Sequence, residues 1–329
     1  MANKMVGSGS KSVLVSQEIS WIDDSQPVNK VSFDVKSVPK RYTQMLVSGD
    51  GSRGFFYPTT EIHNVNTTKL KQGPSMRMPR SCRASVTLPN RKIVVFGGIN
   101  AENDALASCE IFDPDTEEFS DAGSMTVARK GACAVLLRNG LVFIIGGSDA
   151  NDEYLRSCEF YVPASGTFFR SNANLWNDRT AFAAALLDSG DVLVCGGNDG
   201  EDHYRSTEIY DTATDQFHEG PDMTIGRSWH TATALLNGKI LVVGGEHNRH
   251  DTSTEIYDPI KNSFSSGPTL AKEAYVDFST LLPDGRVWIG GGEMRGRDDD
   301  TYIYDPVTNS FSIGPHLLRM RHCASATPF

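Results

Sequence analysis

A Gly-Gly pair closes a run of apolar residues five times along the 329-residue chain, beginning at Gly97, Gly146, Gly196, Gly244 and Gly291. The intervals are 49, 50, 48 and 47 residues. A second landmark keeps the same period. A Glu followed by an apolar residue occurs at Glu61, Glu110, Glu159, Glu208 and Glu255, and Tyr302 takes that slot in the last copy. Nine residues beyond each stands Leu70, Phe119, Phe168, Phe217, Phe264 or Phe311. A fixed period near 50 residues makes each copy one supersecondary unit that buries its apolar faces against its neighbours.

Within a copy the apolar runs are short and bounded by turn residues such as Pro-Asn, Gly-Gly and Asp-Pro, and none shows sustained helical periodicity. In the second copy the expected strands are Cys82–Leu88, Lys92–Phe96, Ser108–Phe112 and Glu118–Ser120. Four strands per unit and six units give an all-β, six-bladed propeller of four-stranded antiparallel blades, a ring that leaves only short strand edges exposed. The propeller is expected over 39–329 and an irregular tail over 1–38, where Gly and Ser are frequent and apolar residues few.

The pattern resembles the kelch-repeat family. Arg227, the small-residue strand Thr231–Leu236, the apolar strand Ile240–Gly245, Glu255-Ile256-Tyr257-Asp258-Pro259 and Phe264 show one full motif. The resemblance covers roughly residues 40–329. It implies a propeller and leaves function open, because one fold carries many activities.

An Arg precedes four of the Gly-Gly pairs by 17 residues, at Arg80, Arg129, Arg179 and Arg227, and each has a Glu in the same repeat: Glu110, Glu159, Glu208 and Glu255. The fifth Gly-Gly lacks both, with Glu273-Ala274 and Tyr302 in their places. Joint loss is what a buried ion pair predicts, since removing one partner strands a charge. Two parallel guanidinium–carboxylate bonds would then pin the first strand of a blade to its third. A competing reading makes these arginines an anion-binding ring at one mouth of the propeller.

Glu61 has no upstream arginine at the matching offset, whereas Arg321 follows Phe311 as Arg80 follows Leu70. The C-terminal strand His322–Phe329 is therefore expected to join the N-terminal blade and bring Arg321 to Glu61. Residues 31–38 compete for the same place, but that choice would leave an unpaired edge at the C-terminus.

The loops after each Gly-Gly (99–108, 148–157, 198–206, 246–253 and 293–300) vary while the strands stay constant, the layout of a recognition surface on a rigid scaffold. They are acidic on balance and carry Tyr154, Arg156, Tyr204, Arg205, Arg249, Arg295 and Arg297. Tyr and Arg are the residue types of interface hot spots, and these seven are the candidate binding residues. A basic or mixed-charge peptide would complement them. His247 and His250, and Asp298-Asp299-Asp300, read as solvated loop charge, because neither has the spacing of a metal site. No metal or cofactor is expected.

A net charge of −10 disfavours nucleic acid as a partner. No apolar run approaches the ~20 residues that span a bilayer. The N-terminal Val13-Leu14-Val15 is too short for a signal peptide, so a cytoplasmic location is expected. The six cysteines form no CxxC and read as reduced thiols. No GxSxG, HExxH or P-loop occurs.

Galactose oxidase, a kelch-type copper enzyme, uses a Tyr-His ligand pair, and this sequence has no Tyr-His dipeptide. The Glu-xxx-Asp-xxx-His iron motif of plant specifier proteins meets Glu273, Asp277 and then Leu281 in place of His. About 40 residues ahead of the first blade are too few for a BTB domain and show no F-box periodicity. The expected function is a monomeric, non-enzymatic scaffold that binds a protein or peptide on its loop face. The alternative is a small-molecule enzyme, or a carbohydrate- or anion-binding protein, resembling the sialic acid mutarotases or the oxidases and using the central channel mouth.

Overall fold

Six four-stranded antiparallel sheets account for nearly all strands of the computed structural model, which describes residues 42–329 apart from 51–56, 66, 68, 248, 251, 272–275, 293–298 and 320. The expected tail over 1–38 and the competing strand over 31–38 lie outside the described residues. Blade 2 runs Ala84–Thr87, Ile93–Phe96, Ser108–Asp113 and Glu118–Ser124 from axis to rim. Blades 3 to 6 repeat that order, with innermost strands Cys133–Leu136, Ala183–Leu186, Thr231–Ala234 and Phe278–Leu281. In blade 1 the innermost strand is His322–Pro328, antiparallel to Gln44–Asp50. Thr60–Asn64 and Lys69–Gln72 complete that blade. The innermost strands touch in cyclic order, blade 6 meeting His322–Pro328 and that strand meeting blade 2, so the ring is closed by the C-terminal strand.

In blades 2 to 5 the second strand is apolar at every position because both of its faces are covered. Ile93 and Val95 point toward blade 1, packing with Leu46, Ile62 and Phe329. Val94 points toward blade 3 and packs with Val142 and Ile144. A single exposed face would have given alternation instead. The aromatic nine residues after the Glu slot also has a geometric cause. It lies directly across from the residue two after the Glu: Phe112 faces Phe119, Tyr210 faces Phe217 and Tyr257 faces Phe264. Cross-strand pairs of this kind stabilise the outer half of each blade.

Each arginine is the hub of a blade end. Arg80 Nη1 donates to the carbonyls of Gly97 (3.0 Å) and Ser108 (2.7 Å), and Nη2 donates to Glu110 Oε1 at 2.9 Å. The other carboxylate oxygen, Glu110 Oε2, accepts the amide of Arg77 at 2.7 Å. Arg129, Arg179 and Arg227 repeat the set, reaching Gly146, Gly196 and Gly244 and contacting Glu159, Glu208 and Glu255 at 3.0, 2.7 and 3.1 Å. The spacing of 17 is thus the distance along the chain from the guanidinium to the glycine carbonyl it caps.

Two details differ from the sequence reading. The guanidinium engages one carboxylate oxygen rather than two. The unit fastens the segment that crosses between blades, rather than the first strand itself, to the second and third strands. In blade 6 Tyr302 fills the Glu position, buried with Leu270, Val276 and Ile289; the Arg position falls at 274, outside the described residues.

At the closure Arg321 makes the same bonds to blade 1. Its Nη1 donates to Gly49 O (2.8 Å) and Thr59 O (2.6 Å), and its Nε and Nη2 donate to Glu61 Oε1 at 3.0 and 2.9 Å. Gly49, a single glycine, stands where other blades have a pair. Both residues are almost wholly inaccessible, at 2 %. Arg321→Met would leave Glu61 buried and unpaired and is expected to lower stability by roughly 3–5 kcal/mol in urea denaturation. Adding Glu61→Gln should restore part of that loss. A double variant as unstable as the two single losses summed would show that the pair is not coupled.

Candidate functional site

In an antiparallel blade the start of the first strand, the end of the second, the start of the third and the end of the fourth share one side. The segments crossing between blades and the loops after the glycine pairs therefore lie on one face. Short bridges join them: Ser81 with Ile99, Lys130 with Ser148, Thr180 with Asn198 and Ser228 with Glu246. The glycines permit that approach. A Cβ on Gly98, at φ +94, would sit 2.3 Å from Ser81 O.

Two residues after each arginine the backbone takes a left-handed turn, at Cys82, Gly131, Ala181, Trp229 and Cys323, with φ between 46 and 62. L-residues rarely adopt this conformation, and it persists where surrounding bonds fix it. Here those bonds run around the axis: Gly131 N donates to Cys82 O (2.9 Å), Ala181 N to Gly131 O (3.1 Å) and Trp229 N to Ala181 O (2.7 Å). These residues frame the mouth of a central cavity of about 470 Å³. Small side chains and hydroxyls of the innermost strands line it, among them Ala134, Ala184, Ser85, Thr231, Ser279 and Thr327.

The next residue in each repeat also lines the cavity, and it carries the site's individuality: Arg83, Ala132, Phe182, His230, Asp277 and Ala324. The two charged members flank the closing strand. Arg83 Nη1 donates to Cys323 O at 3.2 Å, and Asp277 Oδ2 accepts the amide of Ala324 at 3.1 Å. Sequence reasoning passed over this position because it varies most where the repeat is otherwise regular. The ring of Arg80, Arg129, Arg179, Arg227 and Arg321 is buried, and its terminal nitrogens are directed to backbone carbonyls and glutamates of the blades rather than into the mouth.

Of the candidate loop residues, Tyr154 and Tyr204 are half-buried and Arg156 and Arg205 exposed. Arg156 Nε donates to Leu175 O at 2.7 Å. Tyr204 donates to Asp199 at 2.8 Å, and its ring lies under the Arg179 guanidinium at 5.2 Å. Burial and the Asp199 carboxylate push the Tyr204 phenol well above its ordinary value. Arg205 meets Asp222 at 3.1 Å on the open surface. Arg249 pairs in backbone register with His247 in a two-residue ribbon, and its side chain lies outside the described residues. Arg295 and Arg297 also lie outside the described residues.

The same face carries large apolar side chains that the loop reading did not include. Trp176 is 50 % exposed, Trp229 38 % and Leu318 53 %. Trp176 and Leu318 belong to the crossing segments, each offering its amide to the local glutamate, Glu208 or Glu61. The signal for them was an apolar residue three before the hub arginine. Elsewhere, Asp299, Asp300 and His316 bring ligand atoms within 4.8 Å of one another. Within that group His316 Nδ1 lies 3.0 Å from Asp300 Oδ1.

The architecture defines a closed repeat propeller with one loop-rich face around a channel mouth. A family model described as the KLHDC2/KLHL20/DRC7 Kelch-repeats domain matches residues 46–245, and one described as the Kelch motif matches residues 230–271. With more than half of its length matched, the chain belongs to the kelch-repeat β-propeller family, whose members commonly act as protein-interaction scaffolds. No curated protein matches it. No helix among the described residues is long and apolar enough to cross a membrane.

His230 gives the cavity wall a pH dependence. Burial, reinforced by the Arg227 charge, lowers its imidazole from the ordinary 6.5 to about 3. Its Nδ1 finds no hydrogen-bond partner among the described residues, and its Nε2 lies 3.6 Å from Cys195 Sγ. Below pH 6.5 the unfolded chain binds a proton that the folded chain refuses. The stability this histidine contributes is whole above that pH and is lost as the pH falls toward 3. The loss should reach about 2 kcal/mol by pH 5. Urea denaturation at pH 7 and pH 5 checks it: His230→Phe should flatten the slope, and an unchanged slope would assign the effect to other groups.

Proposed function

We propose that this propeller is a non-enzymatic docking platform that binds a protein segment across the face surrounding the channel mouth. The observation that carries the reading is the exposure of Trp176 and Trp229 on rigid crossing segments of that face. Exposed indoles held on a fixed backbone suit interface anchors, since they bring large contact area at little cost in conformational freedom. Arg205 stands exposed on the same face. The loops of that face also carry acidic residues, with Asp152, Glu153, Glu201 and Asp202 all exposed. A segment with apolar side chains flanked by basic residues would complement this surface and be steered toward it. The platform would work by holding its loops fixed, without turnover.

The Trp176→Ala/Trp229→Ala pair of substitutions tests the reading. Ala181 already occupies the ring position of Trp229 one blade earlier, so alanine fits that backbone. Trp176 contributes its amide, not its ring, to Glu208. The double variant should melt close to the wild type yet bind a partner captured by the intact chain at least ~30-fold more weakly. A captured partner that binds both proteins equally would remove the anchors from the interface and the reading with them.

A further inference from the structure

Two of the six cysteines stand where the ring is closed. Cys82 and Cys323 occupy the same place in their repeats, two residues after Arg80 and Arg321, and both have left-handed backbone, at φ 49 and 46. They are neighbours at the mouth: Cys323 begins the closing strand of blade 1, and Cys82 enters the innermost strand of blade 2. Their sulfur atoms lie 2.9 Å apart. A disulfide would need an approach of less than about 1 Å from there. Both residues are half-buried and line the central cavity.

The other four thiols are unsuited to this chemistry. Cys109, Cys158 and Cys195 are buried, and burial pushes each of them, and Cys133, up to about 12. Cys133 is directed to the carbonyl of Phe182 at 3.1 Å.

We propose that Cys82 and Cys323 are a reversible redox pair whose disulfide covalently fastens the closing strand to blade 2. With a peroxide as oxidant the step balances. One thiol of the pair, as its thiolate, attacks a peroxide oxygen, the O–O bond breaks, and a sulfenic acid forms on that sulfur with release of hydroxide, which takes up a proton to become water. The second sulfur then attacks the first, the S–O bond breaks, and water leaves with the proton of the second thiol. Two thiols and one hydrogen peroxide give one disulfide and two waters. Either thiol can donate the hydrogen bond between them, so either sulfur can serve as the attacking atom.

The neighbourhood holds the pair in register. Arg83 donates to Cys323 O at 3.2 Å and to Ser48 Oγ at 2.7 Å, tying blade 2 to both inner strands of blade 1. Farther along, Ser85 and Thr327 share a 2.7 Å hydrogen bond. In the reduced chain these bonds, with that from Thr87 Oγ1 to Pro328 O, hold the closing strand against blade 2; in the oxidised chain the strand cannot leave until the disulfide is reduced.

The test uses the intact reduced chain, treated with hydrogen peroxide, alkylated and digested without reduction. The expected product is one linked peptide pair containing Cys82 and Cys323, lighter by two hydrogens, with the other four cysteines alkylated. The oxidised chain should melt roughly 5 °C or more above the reduced one and return to the lower midpoint in dithiothreitol. Cys82→Ser and Cys323→Ser should each abolish both effects, although the wild-type chain decides the matter alone. Recovery of the two cysteines as separate sulfinic acids, a bridge to any other cysteine, a bridge that forms only in urea, or a bridged chain that melts like the reduced one would each overturn the proposal.

Discussion

A guanidinium buried away from water must find a partner for its charge and acceptors for its donors, and the way this chain meets that demand organises the whole ring. Each hub arginine caps the carbonyl of a glycine that ends the second strand, a carbonyl at the start of the third, and a glutamate oxygen; the glutamate's other oxygen takes an amide from the crossing segment. One side chain thus satisfies backbone groups from two strands, while its partner satisfies the segment leading in from the previous blade. Apolar packing between blades supplies bulk cohesion, but it has little directional preference. The polar hubs fix where blades 1 to 5 start. Partial satisfaction of such a network would be worse than an apolar interior, which fits the absence of a glutamate in blade 6, where Tyr302 is buried among apolar neighbours.

Much of this was legible in the sequence because the repeat compares the chain with itself. The six Glu-slot landmarks gave the blade number, the 17-residue spacing of Arg to Gly-Gly reflected a single hydrogen bond, and the offset of Arg321 from Phe311 pointed to closure with Glu61. The carboxylate geometry was not legible, since spacing does not say which oxygen faces which donor. The cavity wall escaped for a different reason. Arg83, His230 and Asp277 sit at one position that the repeat leaves unconstrained, and unlike residues at one offset look like noise until a ring brings them together. Side-chain exposure was not legible either: Tyr204, in a loop, is held by Asp199 and Arg179, whereas Trp176 and Trp229, in segments whose apolar content suggested packing, stand partly exposed.

The loop-rich face combines fixed backbone with varied side chains. The hydrogen bonds from Gly131 to Cys82, Ala181 to Gly131 and Trp229 to Ala181 give the mouth a rim that side-chain changes disturb little. That separation allows one scaffold to carry different surfaces, as expected where recognition lies in loops over a rigid frame. It also places Arg83 and Asp277 on either side of the closing strand, so charge at the rim serves the seam.

The seam has a bearing on how the protein is made. Glu61 is synthesised 260 residues before the guanidinium that neutralises it, and Gln44–Asp50 waits equally long for the strand that covers its inner edge. During translation the first blade is therefore an incomplete sheet with an unpaired edge and an uncompensated carboxylate, while blades 2 to 6 can each assemble from contiguous chain. Completion of the first blade is gated by residues 322–328, and a chain that stops short of them lacks a finished first blade and remains exposed to aggregation and proteolysis.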